Sequence, residues 1–166
     1  MNKKSVVGKI EKNWAEFNLS WEDLSESFLL EKGVTESWSI KDLIAHVGWW
    51  EEESLNYLPE ILAGNTLPKY SVRYGGLDQF NALKTTEFSA YTLDEVKSYA
   101  AETHAALLAY LNSLDEAVFT TEGKFIRRLR GDTYGHYVDH THAIQSWRDA
   151  HHLLNATEKS KSEGMS

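Results

Sequence analysis

Apolar residues recur along this chain at steps of three and four, and strict alternation is nowhere sustained, so the hydropathy pattern predicts an all-α protein. Val7, Ile10, Trp14, Phe17, Trp21, Leu24 and Phe28 lie on one helical stripe, which predicts a first helix over residues 3–27 with its break marked by Gly33. Ser39 is suited to cap a second helix, with Asp42 near the positive end of its dipole and Leu43, His46, Val47 and Trp50 following on one side. Pro59 falls inside or at the end of that helix, and Gly64-Asn65 closes it. A long connection through Pro68 and Gly75-Gly76 follows, long enough to roof a pocket, and then a short helix over 77–88. Thr92 and Glu95 form a capping box for a third main helix carrying Val96, Tyr99, Ala100, Thr103, Leu107, Tyr110 and Leu114. The segment GKFIRRLRGD reads as a turn or a short extended pair, and Asp132 or Thr133 as the cap of a fourth helix over 133–154. Four long helices with unequal connections predict a four-helix bundle with a long crossover over residues 1–155; the polar stretch 156–166 reads as a disordered tail.

Composition narrows the function classes. With 25 acidic against 17 basic residues the net charge is -8, which argues against a surface built for nucleic-acid phosphates or anionic lipid. The expected partner is therefore a small molecule, with no nucleic acid and no membrane. The chain has no cysteine, which excludes disulfides, thiolate ligands and a cysteine nucleophile. Without a signal-like stretch or a long apolar run, a cytoplasmic location is expected.

Candidate chemistry centres on histidine. His136 and His140, in GHYVDHTHAIQSW, are four residues apart and face the same way on a helix, and His46, in IKDLIAHVGWWEE, lies among apolar neighbours that turn it inward. Three imidazoles can hold a divalent ion and leave a position open for water or substrate. Alone, the His136/His140 pair is equally well two polar residues on a solvated face, and His46 alone a hydrogen-bonded core residue. His142, His151 and His152 read as surface residues, and His104 as core packing or a fourth imidazole. Glu53, two turns beyond His46, and Asp139, beside the fourth-helix pair, could each orient a ligand histidine or act as general base. Gln79, Asn81 and Tyr134 are further polar candidates for a pocket. The six tryptophans are mainly core, with Trp49, Trp50 and Trp147 placed to line a cavity.

The segments DLIAHVGWWEE and TYGHYVDHTHAIQSW give the chain a resemblance to the DinB superfamily of bacterial four-helix bundles, also called DinB/YfiT-like, over about residues 5–150. DQFNALKTTEFSAYTLDEV is similar to the corresponding stretch of the ClbS/DfsB-like branch. The resemblance implies an up-down-down-up bundle that often forms a homodimer, and a divalent ion, usually zinc or nickel, at His46, His136 and His140. It also implies activities found in the superfamily: thiol-dependent transferases and isomerases using mycothiol or bacillithiol, and in the ClbS-like branch hydrolysis of a reactive cyclopropane toxin. The complete triad departs from the ClbS-like pattern, so that branch's self-resistance function is not carried over. Ala143, Ile144 and Gln145 stand where other members often have a glycine-glutamine pair, which leaves the subfamily open.

Two function classes follow. One is a metal-dependent hydrolase or thiol-dependent transferase, in which the ion lowers the pKa of a water or a cofactor thiol. Here Arg127 and Arg130, with Arg128 between them, could receive the carboxylate of a low-molecular-weight thiol. The other is a binding or stress- and toxin-protection protein in which the metal is structural or absent.

Overall fold

The computed structural model describes residues 2–120, 123–152 and 164. Among them the only strand-like pairing is an isolated bridge between Thr35 and Trp38; the rest of the regular structure is helical. Four long helices make the body: α1 (Lys3–Leu19), α3 (Ile40–Leu62), α6 (Leu93–Ser113) and α9 (Tyr134–Ala150). Between them lie α2 (Glu26–Leu30), α4 (Tyr70–Arg73), α5 (Leu77–Phe88), α7 (Ala117–Thr120) and α8 (Lys124–Asp132).

Side-chain pairings fix the helix directions. Lys41 near the start of α3 bonds Tyr91 just before α6, and Glu51, ten residues on, meets His104 of α6, so these helices are parallel. Likewise α1 and α9 are parallel, from Asn13 on the Tyr134 carbonyl to Ser20 and Asp23 on Arg148. Across the bundle the order reverses: α3 meets α9 through His46 with His136 and Glu51 with Tyr137, and further along α3 Ser54 meets Asp132 at the end of α8, just before α9. The topology is up-down-down-up. A parallel α3–α6 pair requires the chain to travel back along a 23-residue helix, about 35 Å at 1.5 Å per residue, before α6 can begin. Residues 63–92, with α4 and α5 inside them, make that crossover.

The caps follow the sequence rules. Ser39 and Asp42 form a reciprocal capping box at the start of α3, and Thr92 and Glu95 another at the start of α6. Gly64, at φ +77°, lies just beyond the end of α3 in the left-handed region that glycine enters without strain. At Gly48 the α3 backbone lies so close to α6 that a Cβ would stand 2.8 Å from the Tyr99 ring and 3.3 Å from the Ala100 Cα. The core between the helices is aromatic-rich, with Phe17, Trp49, Phe80, Phe119 and Tyr137 sealed from solvent.

Three expectations are corrected. The first helix ends at Leu19 rather than near residue 27, because the Ser20 hydroxyl takes the Phe17 carbonyl at 2.6 Å and the chain turns. The apolar stripe runs on through Trp21, Leu24 and Phe28 only because the turn and α2 pack on the same core. GKFIRRLRGD is neither turn nor extended pair but the N-cap Gly123 and the whole of α8, which buries Phe125, Ile126 and Leu129 and turns Lys124, Arg127 and Arg130 outward. Neither Asp132 nor Thr133 caps α9 with its side chain: the Thr133 hydroxyl donates to the Leu129 carbonyl and Asp132 faces Arg128 and Ser54. The tail expected over 156–166 lies, Gly164 apart, outside the described residues, as do 153–154 of the predicted fourth helix. No helix among the described residues is long and apolar enough to cross a membrane.

Candidate metal centre

The capping box at Ser39 sets where α3 begins and so where its side chains point. His46, two turns in, is 5% exposed and ringed by tryptophans: ring centres lie 4.6 Å away for Trp38, 4.9 Å for Trp49 and 6.3 Å for Trp50. Opposite, in the first two turns of α9, stand half-buried His136 and His140. The Nε2 atoms of His46 and His140 each lie 2.8 Å from Nε2 of His136, and the three imidazoles offer one nitrogen apiece to a common point.

Electrostatics favour the ligand form of these rings. Burial, with the neighbouring imidazoles, holds His46 well below the usual histidine range, and burial with His140 drives His136 down to about 3. Burial likewise lowers His140 to about 4, against the upward pull of the Asp139 charge. All three are neutral at pH 7, and neutral imidazole is the form that binds metal. A neutral ring carries one N–H, so nitrogens crowded together leave lone pairs without donors; a divalent cation satisfies them. Three borderline nitrogen donors suit zinc, nickel and their neighbours in the first transition row. Nδ1 of His46 is buried with no hydrogen-bond partner among the described residues.

The other candidates sit elsewhere. Glu53 is buried and accepts a hydrogen bond from the Tyr70 hydroxyl, which in turn accepts from Arg128 at 2.9 Å, so its carboxylate anchors the crossover segment α4 to the bundle. Asp139 is exposed on α9. Neither carboxylate hydrogen-bonds a triad nitrogen among the described residues. Arg127 and Arg130 are exposed on α8, whereas Arg128 turns inward, its guanidinium 4.4 Å from the Tyr57 ring and 5.6 Å from Trp50, paired with Asp132. Burial lifts the Asp132 carboxyl to about 6 despite that partner. Of the polar candidates, Tyr134 is buried and Gln79 is exposed against Gly75-Gly76, while Asn81 lines a cleft of about 590 Å³ with Trp38, Glu36 and Asp78. Trp38 is thus shared between that cleft and His46. His142, His151 and His152 are exposed.

His104 is not a fourth ligand. It is buried, stacked on Trp14 with ring centres 4.1 Å apart, and its Nδ1 lies 2.7 Å from the carboxylate of Glu51. Glu51, sealed from solvent, also accepts from the Tyr137 hydroxyl on the same oxygen, and its second oxygen has no hydrogen-bond partner among the described residues. Burial pushes its carboxyl upward against the pull of these hydrogen bonds. Sequence reasoning passed over Glu51 although a signal was present: it interrupts the stripe Leu43, Val47, Ser54 and Leu58 on α3, as His104 interrupts Val96, Ala100, Leu107 and Leu111 on α6. A charge inside an apolar stripe implies a buried partner.

Several solved structures share the fold. The colibactin self-resistance protein ClbS, in complex with double-stranded DNA, superposes with a TM-score of 0.73 at 14% identity, covering 87% of this chain and 94% of its own. DfsB, described as a sibling lethal factor precursor, gives 0.73 at 14% identity over 93% and 99% of the two chains. An uncharacterised protein from Escherichia coli UTI89 gives 0.77 at 12% identity over 92% and 96%. No curated protein matches the chain by sequence. The ClbS complex corrects the exclusion of nucleic acid drawn from the net charge, because a bundle of this fold is seen on duplex DNA. Net charge sums the whole surface, whereas phosphate contact needs only a local cationic edge such as Lys124, Arg127 and Arg130. The family description "DinB superfamily" matches residues 9–156, and the chain belongs to that superfamily.

Proposed function

We propose that this protein is a metal-dependent enzyme for a small-molecule substrate, with His46, His136 and His140 holding one divalent ion, zinc or nickel. The observation that carries the reading is the meeting of three neutral imidazole nitrogens, with Nε2 contacts of 2.8 Å, where two helices face each other. When bound, the ion supplies Lewis acidity to a water or to the thiol of a small cofactor, which the chain, having no cysteine, must take from outside. The protein's own residues do the rest. Trp38, Trp49 and Trp50 keep water from the His46 side. The cleft beside Trp38 receives the substrate. Asp139, exposed and close enough to act on His140, is the carboxylate we assign to proton acceptance. Glu53, in this reading, acts through Tyr70 by holding α4 in place. Arg127 and Arg130 provide a cationic face for the carboxylates of a thiol cofactor.

The test is elemental analysis of untagged protein prepared without chelator, wild type against His140→Ala. One equivalent of zinc or nickel in the wild type, absent from the variant, supports the reading and directs hydrolysis and thiol-transfer assays. No metal in the wild type after divalent ions are added back overturns it.

The likeness to ClbS, a self-resistance protein, favours a second reading, protection by binding with the metal structural or absent. Ligand binding that survives alanine at all three histidines would select it.

A further inference from the structure

The helix that carries two of the three proposed ligands packs on the bundle through aromatic rings more than through aliphatic side chains. The residues of α9 that are buried are Tyr134, Tyr137, Thr141, Ile144, Trp147 and Arg148, of which Ile144 is the one aliphatic. Its start has no side-chain cap. Polar contacts also fix it: Asn13 on the Tyr134 carbonyl at 2.8 Å, Arg148 on Asp23 at 2.6 Å and on the Ser20 carbonyl at 2.9 Å, and the Tyr137 hydroxyl on Glu51. The first two tie α9 to α1 at its ends. Apart from the imidazole contacts of the triad itself, the Tyr137–Glu51 bond ties it to α3, the helix of His46, at the level of the triad, within one residue of His136.

Rotation of α9 by one residue, 100°, would carry both its histidines away from His46. Packing of Ile144 and of the Tyr134, Tyr137 and Trp147 rings resists such a rotation without fixing its angle closely, whereas a hydrogen bond buried against a carboxylate is directional and costly to break, since breaking it strands a desolvated polar group. The same oxygen of Glu51 that accepts from Tyr137 also meets Nδ1 of His104 of α6, which Trp14 of α1 clamps by stacking at an interplanar angle of 7°. All four long helices thus meet at one carboxylate. We infer that Glu51 is a positioning residue for the metal centre: through Tyr137, and braced by His104, it sets the rotation of α9 and so the convergence of His136 and His140 on His46.

The inference rests on the metal reading and is tested on the full chain with zinc and cobalt as probes. Zinc affinity is measured by competition with a chromophoric chelator, and ligand geometry from the visible spectrum of bound cobalt, for wild type, Tyr137→Phe, Glu51→Leu and Glu51→Gln. Outer-shell partners of ligand histidines are typically worth about 10- to 100-fold in metal affinity, and a loss in that range is expected for Tyr137→Phe and Glu51→Leu, with an altered cobalt spectrum. Glu51→Gln keeps a carbonyl acceptor and is expected to return both towards wild type. Tyr137→Phe removes one oxygen from an intact ring, so it remains informative if Glu51→Leu fails to fold. Wild-type affinity and spectrum in Tyr137→Phe overturn the proposal while leaving the metal reading intact. A wild type that takes up neither ion overturns both.

Discussion

The seam between α3 and α6 and the seam between α3 and α9 are built on opposite principles. The first is mainly a close approach of backbones, made possible by Gly48 against Tyr99 and Ala100, with apolar stripes meeting on either side of the buried Glu51–His104 pair. The second is bridged by polar groups, His46 with His136 and His140 and Glu51 with Tyr137, and Ser54 with Asp132 at the end of α8 continues it. One seam supplies stability and the other supplies a site. Packing energy grows with apolar contact, while a ligand site needs polar atoms left with unused capacity, and one surface cannot maximise both.

This contrast can be broken from either side. The largest effect is expected in the apolar stripe: Leu107→Ala, at a fully buried position, should cost about 2–5 kcal/mol of unfolding free energy in urea titration and leave metal uptake per folded molecule unchanged. Gly48→Ala should cost about 1–3 kcal/mol by overpacking, since its Cβ would meet the Tyr99 ring at 2.8 Å. A loss in metal uptake in either variant would show that the two seams are not separable. On the polar side, His140→Ala should abolish metal binding yet shift unfolding in chelator by less than about 1 kcal/mol, with the circular dichroism of the helices retained, because the aromatic core does not depend on the ion. Chelator should lower the melting temperature of the wild type and not that of His140→Ala, as mass action requires of a ligand that binds only the folded state.

The smallest expected effect concerns the cap of α3. Burial raises the Asp42 carboxyl, but Lys32 and the Ser39 backbone and hydroxyl outweigh it and hold the carboxyl below its ordinary 3.8. A depressed folded-state value means that Asp42 stabilises the protein above about pH 4 and that this contribution fades as pH falls through the lowered value. Asp42→Asn should flatten that part of the acid limb of a stability-pH profile by about 1 kcal/mol or less, and an unchanged limb would remove the cap from the account of how His46 is placed.

Much of the scaffold was legible in the sequence because its determinants are local. The boxes at Ser39 and Thr92 and the bounds of α5 are decided within a few residues, and a sustained period of 3.6 outlines α3 and α6. What escaped was decided at a distance. Ser20 ends α1, although the apolar period continues, because the next segment shares the same core. In α8 a buried stripe of three residues is outweighed by charge when read by composition. The three histidines could be named from spacing and family resemblance, but their approach could not, since it depends on helix rotation. Glu51 was hidden for the same reason: a glutamate within EEE looks solvated until the position of α6 and α9 is known.

The parallel course of α3 and α6 and the late entry of α9 also bear on how the site comes into being. His136 and His140 become neighbours as soon as a single turn of helix forms, but His46 is 90 residues from His136, and closing a loop of that length costs about 4 kcal/mol of chain entropy. The two histidines of α9 are thus brought together by local structure, whereas the third joins them only when the bundle closes, so the complete triad requires the closed bundle. Removing His46 should leave the refolding rate unaltered and change only how fast the metal-loaded protein unfolds.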